Sequence, residues 1–253
     1  MGRTIAIANQ KGGVGKTTTA INLSACLAKA GRRVLLLDLD PQGNATSGLG
    51  QSARNELSHT VYDLLLNGAS LEDVSLATPV DNLTLVPANR QLVGAEVELV
   101  DTERREYRLR EALANVRGDY DWIFMDCPPS LGLLTVNGLV AADGILITLQ
   151  CEYYALEGLS ELLNTICRLR DSLNPGLYLE GVLMTMHQNT RLAQEVVNDA
   201  RTYLNDKVYQ TVIPRNVRLS EAPGYGKPII EYDINSAGAK AYLALAKEIT
   251  GHG

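Results

Sequence analysis

The sequence predicts an α/β fold with a doubly wound, mainly parallel sheet, and two observations carry that prediction. Short apolar, β-branched runs alternate with helix-length segments along the whole chain, the signature of βαβ units. Most of those runs lack in–out alternation, which suits strands covered on both faces. With 253 residues and 45% hydrophobic content the chain is long enough for one large core, so a single domain over 1–253 is expected.

Taken in order, the first apolar run, 3–8, enters a glycine-rich stretch, and a helix is predicted over 18–30. Gly31 directly after Ala30 fits a left-handed helix stop and hands the chain to a second strand at 33–39, closing the first βαβ unit. Residues 41–60 are polar and contain glycine, and read as a loop that orders on binding. Further strands are predicted at 83–86, 122–125, 144–149, 178–184 and 208–213, all apolar runs. Helix-length segments lie between them at 90–100, 103–116, 133–141, 156–173 and 192–204. From Lys240 on, Tyr242, Leu245, Ala246 and Ile249 share one stripe with few cations, the pattern of a packing helix.

Residues 10–19 read Gln-Lys-Gly-Gly-Val-Gly-Lys-Thr-Thr-Thr between a strand and a helix, the context a phosphate-binding loop requires. Gly12, Gly13 and Gly15 let backbone N–H groups turn onto phosphate oxygens, with Val14 and Thr18 completing the cradle. Lys16 can reach the β/γ-phosphates, and the Thr17 hydroxyl can ligate Mg²⁺ directly. The usual pattern begins with glycine, whereas here Gln10 precedes a second lysine, Lys11. Lys11 is either a solvated surface lysine or a cation for phosphates in another subunit.

In a doubly wound sheet the ligand sits beyond the carboxyl ends of the strands, which gives acidic residues there priority. Asp126 follows four apolar residues and precedes Pro128 and Pro129, so it is either a strand-ending turn former or a carboxylate aimed at a Mg²⁺ shell through water. Asp38 and Asp40 end another strand. Asp40, at the mouth of a mobile 41–50 loop, is the candidate to orient the attacking water, and Asp38 a candidate support for the metal shell. Pro128 to Ser130 are expected to form a switch segment near the γ-phosphate.

At these residues the chain resembles the deviant Walker A ATPases, SIMIBI-like P-loop NTPases that include ParA, MinD, the nitrogenase iron protein and ArsA. That resemblance implies that Lys11 crosses a dimer interface and joins Lys16 and Asp40 in catalysis. Asp38 to Asn44, reading Asp-Leu-Asp-Pro-Gln-Gly-Asn, is similar to the ParA branch, whose hydrolysis-supporting aspartate falls on Asp40. The run from Ile213 to Pro223 and Gly226-Lys-Pro-Ile resemble the C-terminal signature of Soj-like ParA proteins. In that family the Pro-Arg-Asn turn lines the adenine pocket, which implies Pro214, Asn216 and ATP. Its arginines for nonspecific DNA fall on Arg191 and Arg218. The resemblance covers essentially the whole chain and implies a DNA-partitioning ATPase: an ATP-bound, Mg²⁺-dependent sandwich homodimer on nonspecific double-stranded DNA. A ParB-type centromere-binding partner is implied to trigger its slow hydrolysis.

Composition narrows the alternatives. A net charge of −6 argues against a generally basic nucleic-acid binder, so DNA contact must be focal. The cations between Arg191 and Lys227 read by themselves as a solvated face; the resemblance turns them toward DNA. Cys26, Cys127, Cys151 and Cys167 form no C-x-x-C pair and read as buried core thiols in a reducing, cytoplasmic, nucleoid-associated protein. A MinD-like membrane-positioning ATPase is the alternative, weakened by the poorly cationic tail, and no membrane contact is expected. Nitrogenase-type electron transfer lacks its cysteine placement, and a metabolic phosphotransferase remains a third possibility.

Overall fold

The computed structural model describes residues 2–51 and 57–251. Its strands are β1 (Arg3–Ala8), β2 (Val34–Asp38), β3 (Leu76–Ala77), β4 (Leu83–Val86), β5 (Trp122–Asp126), β6 (Gly144–Gln150), β7 (Tyr178–His187) and β8 (Val208–Pro214). The helices are α1 (Lys16–Lys29), α2 (Asn44–Gly48), α3 (Leu71–Val74), α4 (Leu92–Glu98), α5 (Arg108–Leu113), α6 (Leu133–Ala141), α7 (Ala155–Leu173), α8 (Arg191–Leu204), α9 (Val217–Glu221), α10 (Ile229–Tyr232) and α11 (Ala237–Gly251). All strands join one sheet in the order β3-β4-β2-β5-β1-β6-β7-β8. Every pairing is parallel except β3 with β4.

Burial on both faces explains the unbroken apolar runs. Along β1, Ile5 and Ile7 pack toward α1 and α11, while Ala6 and Ala8 pack into the core on the opposite face. β2 divides the same way, with Val34 and Leu36 on one side and Leu35 and Leu37 on the other. Each buried Leu or Ile contributes roughly 1.5–3 kcal/mol. β1 lies between β5 and β6, so the chain leaves it in one direction for β2 and returns to its other side with β6. A reversal of this kind opens a crevice at the carboxyl ends of the strands, the usual ligand position in such sheets.

Several elements depart from the sequence expectation. The 41–50 segment is folded, because Gly43 takes a left-handed conformation (φ 65°) and starts α2; residues 52–56 of the predicted 41–60 loop lie outside the described residues. The 103–116 helix contracts to α5, since Arg104 sits at φ 53° and breaks the α-helical path before it. Of the four thiols expected in the core, Cys26 and Cys127 are buried, whereas Cys151 is half-buried and Cys167 is exposed on α7. In α11 the predicted stripe of Tyr242, Leu245, Ala246 and Ile249 is buried. Among the described residues, no helix is long and apolar enough to cross a membrane.

Candidate functional site

The turn from β1 into α1 carries the glycine-rich loop. Gly13 (φ 73°) and Gly15 (φ 87°) take left-handed conformations that a side chain would strain, and Gly15 caps α1. The positive end of the helix dipole therefore faces the space in front of the loop. Lys16, at the first position of α1, is 7% exposed, and its Nζ donates to the Lys11 carbonyl at 3.0 Å. Burial lowers the Lys16 pKa, and the neighbouring Asp126 carboxylate opposes that shift.

A cavity of about 410 Å³ opens over this loop, lined by Gly12, Gly13, Gly15, Lys16, Thr17 and Thr18 on one side. Asp40, Gln42, Asn44, Pro129 and Met186 form the rest of its wall. A second cavity of about 270 Å³ shares Gly15, Thr18 and Met186 with the first and extends to Pro214 and Asn216. The buried Asn216 Oδ1 has no hydrogen-bond partner among the described residues. The two spaces thus run together from a cationic loop to a pocket with an open acceptor.

Three carboxylates approach the loop from the ends of β2 and β5. Asp38 and Asp126 stand opposite each other in register, both fully buried. Burial pushes the Asp38 carboxyl up to about 6, and pushes Asp126 well above the usual carboxylate range, with the Asp38 charge adding to the effect. Both Asp126 oxygens are buried without a well-formed hydrogen bond among the described residues, and the nearby Thr17 hydroxyl and Lys16 ammonium favour its charged form. An orphaned carboxylate pair of oxygens beside a lysine and a hydroxyl fits a hydrated divalent cation. No group of three His, Cys, Asp or Glu side chains among the described residues could hold a metal by itself.

Asp38 is otherwise engaged. Its Oδ2 accepts from the Thr46 N–H and the Thr46 hydroxyl, both at 2.8 Å, and its Oδ1 accepts from the Asp40 N–H at 3.1 Å. Asp40, 7% exposed, accepts from the Gln42 N–H at 2.9 Å, so it is held by a formed turn in place of the mobile loop mouth expected. Pro129 stands against the loop, with its Cβ 4.0 Å from where a Gly12 side chain would begin.

The structure separates the remaining candidates from this centre. Lys11, with a side chain 57% exposed, forms an ion pair with Glu152 just past β6. Arg191 opens α8 with its side chain 93% exposed and pairs with Glu195 at 2.8 Å. Arg218 lies on α9, exposed, and pairs with Glu221 at 2.9 Å and Asp233 at 3.6 Å. Both arginines follow the carboxyl ends of adjacent strands, where the Arg215 N–H donates to the His187 carbonyl. Sequence reasoning missed Glu152, Thr46, Thr185 and Met186, of which Met186 (φ 51°) lines both cavities.

Comparisons with known proteins found relatives over essentially the whole chain. An AAA domain family model matches residues 2–179. The sporulation initiation inhibitor protein Soj of Bacillus subtilis is 58% identical over 254 residues, covering all of both chains. The chromosome partitioning protein ParA of Myxococcus xanthus is 55% identical over 250 residues, covering 98% of this chain and 88% of its own. A solved Mycobacterium smegmatis structure, described as cobyrinic acid a,c-diamide synthase with bound ATP analogue and magnesium, superposes with a TM-score of 0.88 at 40% identity, covering 100% of this chain and 95% of that one. The function in that description differs from partitioning, and the partitioning relatives are the more similar in sequence.

Proposed function

The chain belongs to the ParA/Soj family of chromosome-partitioning ATPases, and we propose that it acts as one 253-residue ATPase domain whose ATP-bound homodimer holds nonspecific double-stranded DNA. A ParB-type centromere-binding protein triggers hydrolysis and release. The observation that carries this reading is the meeting of a lysine-bearing glycine loop with the buried Asp126 carboxylate, whose charged form Thr17 and Lys16 favour.

Bound ATP would supply the phosphoanhydride that water cleaves, and Mg²⁺ a divalent charge to balance its phosphates. Gly12, Gly13, Val14, Gly15 and Thr18 surround those phosphates with backbone donors, and Lys16 balances their charge. The Thr17 hydroxyl would hold the metal directly. Asp126 and Asp40 would hold the metal through water, while Asp38 contributes chiefly by fixing Asp40 and Thr46 through the hydrogen bonds described above. Asp40 orients the attacking water, and Pro214 and Asn216 line the base pocket. Phosphoryl transfer depends on positioning and charge stabilisation, so turnover is slow until Lys11 leaves Glu152 and reaches the other subunit's phosphates. Arg191 and Arg218 contact DNA phosphates without reading bases.

The membrane-positioning alternative needs a free amphipathic helix, but α11 buries its apolar stripe against α1 and β8. Cytoplasmic, nucleoid-associated protein is the corresponding localisation. DNA binding and light scattering with ADP, ATP and a slowly hydrolysed analogue test the reading. Dimerisation and DNA retention are expected with ATP and the analogue but not ADP; nucleotide-independent DNA binding, or ATP-dependent capture by anionic liposomes alone, contradicts it.

A further inference from the structure

We propose that Thr185, at the end of β7, is a positioning residue for nucleotide binding, its hydroxyl holding the Val14 carbonyl so that the Gly15 amide faces the phosphates. The inference rests on the phosphate-loop reading above and adds to it a residue from a distant strand. Thr185 is 2% exposed, and its Oγ1 donates to the Val14 carbonyl at 2.9 Å. In a planar trans peptide the C=O and the following N–H point to opposite sides. Fixing the Val14 oxygen toward β7 therefore turns the Gly15 N–H away from β7, toward the cavity that Gly15 lines with Lys16 and Asp40.

Such an anchor is needed because Gly13 and Gly15, at φ 73° and 87°, have no side chain to restrict them. The Thr185 methyl carbon also lies 3.6 Å from where a β-carbon on Gly15 would stand, so the same side chain backs the loop. Thr185 is itself held: it pairs in register with Gln150, and its carbonyl accepts from the Cys151 N–H at 3.2 Å. Cys151 adjoins Glu152, the ion-pair partner of Lys11. The loop is thus tied near its start to the end of β6 and near its finish to the end of β7.

Thr185→Val keeps the shape and removes the donor, whereas Thr185→Ser keeps the donor and removes the methyl. Amide hydrogen exchange over residues 13–16 is measured without nucleotide, and ADP and adenosine are titrated by calorimetry. In T185V the loop amides are expected to exchange faster and ADP to bind roughly tenfold more weakly, with adenosine affinity unchanged; T185S restores both. Should T185V not fold, Thr185→Ala against T185S makes the same comparison with and without the donor. Wild-type exchange and ADP affinity in the donorless variant overturn the proposal, as do equal losses in T185S. Thr185 also lines the cavity that reaches Pro214 and Asn216, so an equal loss of adenosine binding in the shape-preserving T185V places its role in the base pocket and overturns the proposal as well. If the wild-type chain fails to bind ADP, the phosphate-loop reading falls, and the exchange comparison still decides the anchor.

Discussion

Asp38 and Asp126 are two buried carboxylates facing each other across adjacent strands, and their shared environment makes pH dependence a test of the site. Burial raises both carboxyls, Asp38 to about 6. A folded-state pKa above the unfolded value means the fold prefers the neutral acid. The stability from that preference is full below about pH 4, the ordinary carboxylate value, and is lost as pH rises through about 6 and beyond. The melting temperature without nucleotide or Mg²⁺ is therefore expected to fall as pH rises from about 4 through about 6 and beyond. Asp126→Asn should flatten that fall, melt higher than wild type at pH 7, and lose the stabilisation given by MgATP; differential scanning calorimetry at several pH values checks all three. Asp40 differs, being held by the Gln42 N–H at the cavity wall. Asp40→Ala should keep ATP affinity within about threefold and lower single-turnover hydrolysis by about 100-fold or more, persisting on DNA. Normal turnover in that variant assigns the water to another group.

At the scale of elements, the segment after β2 shows how a stretch that reads as loop becomes part of the scaffold. The buried Thr46 hydroxyl donates to Asp38 and accepts from the Ala88 N–H at 2.9 Å, joining β2, α2 and the exit of β4. Thr46→Val leaves both partners buried and short of one bond, so a loss of about 1–3 kcal/mol is expected by urea denaturation. Unchanged stability would show that the bridge is idle. α1 is tied to the base side as well, since Asn22 Oδ1 accepts from the Ile229 N–H at 2.6 Å and the Thr19 and Tyr242 hydroxyls meet at 3.1 Å. Phosphate loop and base pocket therefore share one rigid helix.

Across the whole molecule, the charges assigned to partners stand apart from the reaction centre. Lys11, Arg191 and Arg218 are exposed and each is paired with an acid. Exposed pairs contribute only about 0–1 kcal/mol, so these cations are easily transferred to phosphates. Lys11→Ala should leave monomer ATP affinity largely intact and abolish ATP-dependent dimerisation, read by light scattering; full dimer formation contradicts its role between subunits. Arg191→Glu or Arg218→Glu should weaken DNA binding without altering ATP binding or dimerisation. Wild-type affinity should fall steeply with salt and vary little with sequence, while the variants show a shallower slope because fewer counterions are released. Titrations on two unrelated duplexes at several salt concentrations test this, and a wild-type slope in the variants places the DNA surface elsewhere.

Among the described residues, local pattern alone located every strand but the two-residue β3, together with the main helices, the glycine-rich turn after β1 and the aspartates at the ends of β2 and β5, because period, glycine placement and strand-terminating acids are properties of neighbours in sequence. Strand ends moved by a residue or a few, as where β7 runs on to His187. Other features were decided only by the fold. The sequence shows no reason for Thr185 to meet Val14, or Glu152 to meet Lys11, since each pair is joined solely by the order β1-β6-β7. Likewise the sequence does not show that Thr46 and the Asp40 amide donate to Asp38. Which carboxylate is left unpartnered depends on what the other strands bring to it, and that is a property of the tertiary structure.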